Sequence, residues 1–167
     1  MNGAHWHLVV NHLPIIFPIV GVIVMITGLI SKSEAVKRTA FMIFIIGALT
    51  AIAAMRTGDG AEEVVEKING ISEKFIENHE EAAETFAFLA NILGGLSLIG
   101  LWASFKQKLY SPFISILTLL FAGVVLFFAK QTGTTGGEIR HPEIRNQATV
   151  ISNSIENETN DSEIEKD

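Results

Sequence analysis

Residues 13–30 read LPIIFPIVGVIVMITGLI, eighteen positions without a charge. Three more uncharged apolar runs follow: Thr39–Met55 with seventeen residues, then Thr85–Phe105 and Leu109–Ala129 with twenty-one each. A helix rises about 1.5 Å per residue, so about 20 apolar residues cross a hydrocarbon core about 30 Å thick. The uncharged flank Leu8–His12 can lengthen the first run. Lipid offers no water to backbone amides, so a single segment spans it only as a helix. The pattern predicts an all-α polytopic membrane protein, an up-down bundle of four transmembrane helices over about 8–30, 38–55, 73–105 and 109–130. Together they make one membrane domain, residues 1–145.

Composition agrees. Hydrophobic residues make up 49% and charged residues 18%, with a mean hydropathy of +0.39, too apolar for a typical soluble domain. The net charge of −6 argues against a nucleic-acid partner. The chain has no cysteine, which excludes disulfides, thiolate metal sites and covalent c-type haem attachment. The N-terminus lacks the basic n-region of a signal peptide and positive charge follows the first run, so that run reads as a retained helix.

Charge sets the expected orientation. The short turns around Ser31–Arg38 and Lys106–Lys108 carry Lys32, Lys37, Arg38, Lys106 and Lys108 against the single acid Glu34. On the opposite side, Arg56–Ala82 holds three basic residues and eight acids. Basic short loops stay cytoplasmic. The expected location is the bacterial inner (cytoplasmic) membrane, with both termini outside the cytoplasm and membrane lipid as the first partner.

Local signals refine the picture. Pro14 falls in the first helical turn, where a missing N–H costs nothing, and Pro18 should kink the helix. Thr57-Gly58-Asp59-Gly60 reads as a turn within an outer loop 56–72, with Asp59 and Glu62 as an N-cap pair opening a short amphipathic helix over Ala61–Ile68. Asn69-Gly70 then breaks it, and Ser72 caps a helix running through His79 into the third span. The small residues Ala83, Ala87, Asn91, Gly94 and Gly95 either let another helix come close or leave room for a cofactor. Helix 4 is expected to end near Lys130, with Gly133, Gly136 and Gly137 in a flexible loop. Residues 146–167, acidic and without periodicity, read as a disordered tail.

The topology gathers all five histidines at the outer end: His5, His7 and His12 before the first span, His79 before the third, His141 after the fourth. Imidazole binds metals and haem iron, and facing helices in a bundle can hold a cofactor between them. Without cysteine such a haem would be b-type. His12 and His79 are the expected axial ligands, with His7 and His141 as alternates and His5 as an interface residue. Arg56, Arg140 and Arg145 lie at the same level as candidate partners for haem propionates. Three or four imidazoles with Glu80 or Glu84 would instead suit zinc or copper, with His12 and His79 as metal ligands. Glu77, Glu80, Glu81 and Glu84 otherwise form a solvated helix face, and Trp6, Trp102 and Tyr110 fit interface anchors.

The stretch His7-Leu-Val-Val-Asn-His12-Leu-Pro14-Ile resembles the opening motif of an uncharacterised family of bacterial four-helix integral-membrane domains, a domain of unknown function. The Thr57-Gly58 step, His79 and Gly136-Gly137 are similar to that family's later marks, so the resemblance covers about residues 5–145. Members of the family are sometimes fused to c-type cytochrome domains, which implies a haem or electron-transfer context. The chain departs from the pattern in its acidic insertion Ala61–Asn78 and in lacking a proline after the first histidine. The insertion points to a partner specific to this branch.

Three functions are in play: a b-type haem subunit passing electrons at the outer face, to a c-type cytochrome or larger envelope complex; a zinc- or copper-binding membrane protein; and a structural or assembly subunit docking an envelope complex through its acidic loop and tail. No nucleophile–base pair, phosphate loop or transporter repeat suggests that the chain is an enzyme by itself. The charge pattern generates the first test. A reporter fused after Asp167 is expected to be active outside the cytoplasm and one inserted at Glu34 inside it; the reverse result would overturn the orientation.

Overall fold

The computed structural model describes residues 3–65, 67 and 72–145. The tail 146–167, the Asn69-Gly70 break and Ile68 at the end of the expected surface helix lie outside the described residues. The described elements are α1 (Gly3–Val10), α2 (Leu13–Ile30), α3 (Glu34–Val65), α4 (Glu73–Phe105) and α5 (Ser111–Arg140), followed by a 3₁₀ turn at Pro142–Ile144. Four helices, counting α1 and α2 together, are long and apolar enough to cross a membrane. Each long helix packs on the next, α5 returns to α2, and α1 lies against α3.

Buried positions recur in alternating steps of three and four. They are Pro14, Pro18, Gly21, Met25 and Gly28 on α2, and Lys37, Ala40, Phe44, Gly47 and Ala51 on α3. On α4 the seam is Phe86, Ala90, Leu93, Ser97, Gly100 and Ser104; on α5 it is Ser111, Ser115, Thr118, Ala122, Val125, Ala129 and Thr132. A repeat of 3.5 keeps such a seam facing its neighbours and favours the shallow left-handed crossing of a bundle. Apolar side chains such as Ile23, Leu49, Phe88 and Leu120 cover the outside.

Glycines make the notches in this seam. A Cβ on Gly21 would strike the ring of Phe44, and one on Gly100 the ring of Phe41. One on Gly94 would stand 2.5 Å from the Ala48 Cβ, so the small-residue stretch of α4 is filled by α3 at that position. Gly95 faces outward, with nothing within 4 Å of its Cβ position.

The connections at the end opposite α1 are tight. After α2, Lys32 N–H reaches Leu29 O (3.3 Å) and Ser33 N–H reaches Gly28 O (3.0 Å). After α4, Gln107 N–H reaches Ser104 O (3.2 Å) and Lys108 N–H reaches Ala103 O (3.0 Å). Both are Schellman closures with a non-glycine residue at positive φ, Lys32 at 51° and Gln107 at 48°. Glu34 ties this end together: it pairs with the buried Lys37 and accepts a hydrogen bond from Ser104 Oγ (2.7 Å). Arg38 donates to Ser104 Oγ and Ser104 O, both at 2.9 Å, and stacks over Phe105.

Three expectations are corrected. First, α1 is a separate helix, because Pro14 has no N–H for Val10 O and its ring crowds that carbonyl. Second, Thr57-Gly58-Asp59-Gly60 is no turn: α3 runs through it to Val65, and Asp59 lies in the helix interior. The glycines lose as breakers to contact with α1, where Gly3 sits so close to Gly60 that a Cβ would strike its carbonyl. Third, α5 does not end near Lys130 but continues through Gly133, Gly136 and Gly137 to Arg140. Arg145 caps it, donating to Glu138 O (2.8 Å) and Ile139 O (3.2 Å) while lying over the Phe75 ring. Ser72 does stand at the N-cap of α4, without a side-chain capping bond.

These notches give a stability test. Gly100→Ala should cost about 1–3 kcal/mol through overpacking against Phe41. Gly123→Ala, which meets nothing within 4 Å, should be neutral or stabilise by up to about 1 kcal/mol. Thermal unfolding in detergent reads both; equal effects would refute the notch.

Candidate functional site

At the end of the bundle that carries α1, side chains from four helices converge. His7 lies on α1, half-buried, with Nδ1 3.2 Å from both Ala54 O and Thr57 Oγ1 on α3. The Thr57 hydroxyl directs its own hydrogen to the carbonyls of Ala53 and Ala54, 3.1 and 3.0 Å away. Its oxygen and the carbonyl can therefore only accept, so His7 Nδ1 carries the proton and Nε2 keeps its lone pair.

His79, also half-buried, is held in the same way from α5. Its Nδ1 lies 3.2 Å from Thr135 Oγ1, and the Thr135 hydroxyl donates to Thr132 O at 3.1 Å. That hydroxyl has one hydrogen, for Thr132 O or for the ring, so the contact holds the ring in place with either tautomer. The ring rests against the backbone at Gly136, where a Cβ would come within 2.9 Å of Cε1. A Cβ at Gly58 would stand 3.9 Å from His7 Cε1. His7 is within electrostatic reach of both His79 and His12.

The remaining candidates stand apart. His12 is exposed at the α1–α2 corner, where its carbonyl accepts from Ile16 N–H (3.0 Å). His141 is exposed beyond α5 and donates from Nδ1 to Glu143 at 2.8 Å. The Glu143 carboxyl is held below its ordinary range, first by its own backbone N–H and then by His141. Arg56 and Arg140 are exposed at this end, whereas Arg145 is occupied as the α5 cap and on Phe75. His5, Glu77, Glu80, Glu81 and Glu84 are exposed. Among the described residues, no three His, Asp or Glu side chains form a group that could hold a metal ion.

Two further features were not foreseen from the sequence. Asn11, one turn beyond His7, has a buried Oδ1 with no hydrogen-bond partner. Beside His79, a groove of about 300 Å³ opens between α4 and α5 over Ala82 and Phe128, with Thr135 in its wall. The roles of Thr57 and Thr135 carry no sequence signal, because each depends on a helix distant in the chain.

No family model, curated protein or solved structure matches the chain.

The His79 cradle can be probed directly. Gly136→Ala should displace the ring at a cost of about 1–3 kcal/mol. Long-range ¹⁵N–¹H spectra of the histidines should show the His79 tautomer signal changed and that of His12 unmoved. An unaltered His79 signal would contradict this packing.

Proposed function

We propose that the chain is a membrane subunit that binds one b-type haem at its histidine-bearing end, with His7 and His79 as axial ligands, and passes electrons there. The observation that carries the reading is the matched state of the two imidazoles. Both are half-buried, and each is held through Nδ1 by a group on another helix. Ligating histidines are oriented in this way by a bond from the other ring nitrogen. A bis-histidine haem takes two such ligands from the protein, whereas a structural zinc site takes four and a catalytic one three. The two-histidine set therefore suits haem better than zinc or copper.

When bound, the haem supplies a one-electron carrier. The protein supplies the rest. Ala54 O and Thr57 fix the His7 ring, Thr135 fixes the His79 ring, and Gly136 leaves room for that ring against α5. Exposed Arg56 and Arg140 are the candidate partners for propionates. His12, the ligand favoured on sequence grounds, gives way to His7 in this proposal because it is exposed at a chain corner. We place the site outside the cytoplasm, in a bacterial inner membrane, on the strength of the five basic residues at the opposite end. The resemblance to domains fused to c-type cytochromes suggests such a cytochrome as electron partner.

The test is a reduced-minus-oxidised spectrum of protein expressed with ample haem. His7→Ala and His79→Ala should each abolish the haem signal, and Thr135→Val should weaken haem retention about 10- to 100-fold. His5→Ala and His12→Ala should leave it intact. Loss with His12→Ala but not with His7→Ala would restore the His12–His79 pair. A folded wild-type protein without a Soret band would end the haem reading and favour an assembly subunit.

A further inference from the structure

Asn91 is the only Asn or Gln in the four uncharged stretches, and it faces outward from the bundle. It lies six residues inside Thr85, about 9 Å along α4 and so within the hydrocarbon if the helix spans. One amide hydrogen is used on Ala87 O (2.7 Å). A carboxamide has a second amide hydrogen and an acceptor oxygen, which lipid cannot satisfy. Polar side chains within a span ordinarily face the bundle interior or a partner. The outward faces of the other helices are built differently, from residues such as Ile19, Ile23, Ile46, Leu49, Leu120 and Phe127.

The surroundings of Asn91 are shaped for a close neighbour. Gly95, one turn further on, is exposed, and nothing stands within 4 Å of its Cβ position. Phe88, Leu98 and Trp102 are exposed on the same side. A glycine on the face of a membrane helix lets a neighbouring helix approach closely there, and interhelical amide bonds then hold the pair.

We propose that this face of α4 is the interface of a two-fold dimer of the chain, in which Asn91 of each copy hydrogen-bonds Asn91 of the other and Gly95 gives the two helices room to meet. Polar complementarity selects the occupant. The unused donor and acceptor of one carboxamide are matched by those of an identical carboxamide across a two-fold axis. Copies inserted in one orientation carry Asn91 at the same depth, so the match needs no axial adjustment. The proposal does not depend on haem binding.

Since the chain has no cysteine, single-cysteine cross-linking in native membranes is clean. Gly95→Cys should give a disulfide-linked dimer on mild oxidation, while Gly123→Cys, on an open face of α5, should not. In detergent or nanodiscs, light scattering should show the unmodified protein as a dimer. Asn91→Leu, which places an apolar residue against lipid, should raise the dimer dissociation constant about 5- to 30-fold without lowering the thermal midpoint. A monomer at all concentrations, a dimer unaffected by Asn91→Leu, or cross-linking of Gly95→Cys to a different protein would each overturn the proposal.

Discussion

Close contact at glycine is the constraint on which this bundle depends. Four helices are apolar enough to cross a membrane, and in lipid, whose tails are as apolar as leucine, hydrophobic burial alone would give them little reason to associate. Dispersion must supply the cohesion, and it falls off within a fraction of an ångström. The rings of Phe41 and Phe44 meet that demand by seating α3 against Gly100 of α4 and Gly21 of α2. A ring seated at its own glycine fixes the rotation of both helices and their relative height. Height is what decides which side chains meet at the ends. His7 reaches Ala54 and Thr57, and His79 reaches Thr135, because the seam sets α3, α4 and α5 at one axial register.

The spans were legible in the sequence because they arise from a strong, repeated signal, long uncharged runs. The ends were not. Gly58 and Gly60 carry a helix penalty of about 1 kcal/mol each, and a reader of sequence takes that as a turn. The penalty is outweighed by α1, whose Gly3 backs directly onto the Gly60 backbone and whose His7 bonds the same stretch. At Gly136 the reason is similar, since the missing side chain makes space for the His79 ring. The opposite end inverts the lesson. Lys32 and Gln107 adopt the left-handed conformation with no glycine to announce it.

For the candidate site, the sequence placed five histidines at one end but could not rank them. Pro14 separates them physically. By ending the first helix near Val10 it puts His12 at a corner, exposed, and turns α1 onto α3. On α1 the half-buried positions Gly3, His7 and Val10 follow the helical spacing of a face turned toward α3, while His5, Trp6, Leu8 and Val9 remain exposed. Which histidine points inward is thus a consequence of a proline and of helix phase. The acceptors that fix its tautomer come from another helix altogether.

The two ends of the bundle spend their polar groups in opposite ways. At the end with the short turns, Glu34, Lys37, Arg38 and Ser104 bond one another, pairing opposite charges and locking α3 to α4. Such a network holds structure and leaves little chemistry over. At the histidine end the bonds that fix the rings are neutral, and Arg145 is spent on closing α5. What those bonds leave is a pair of oriented imidazoles in a half-buried setting. Holding two side chains still in this way costs conformational entropy, and neutral hydrogen bonds return only modest net stability. That imbalance between the care taken to orient the rings and the small structural return is the physical reason to look for function at this end.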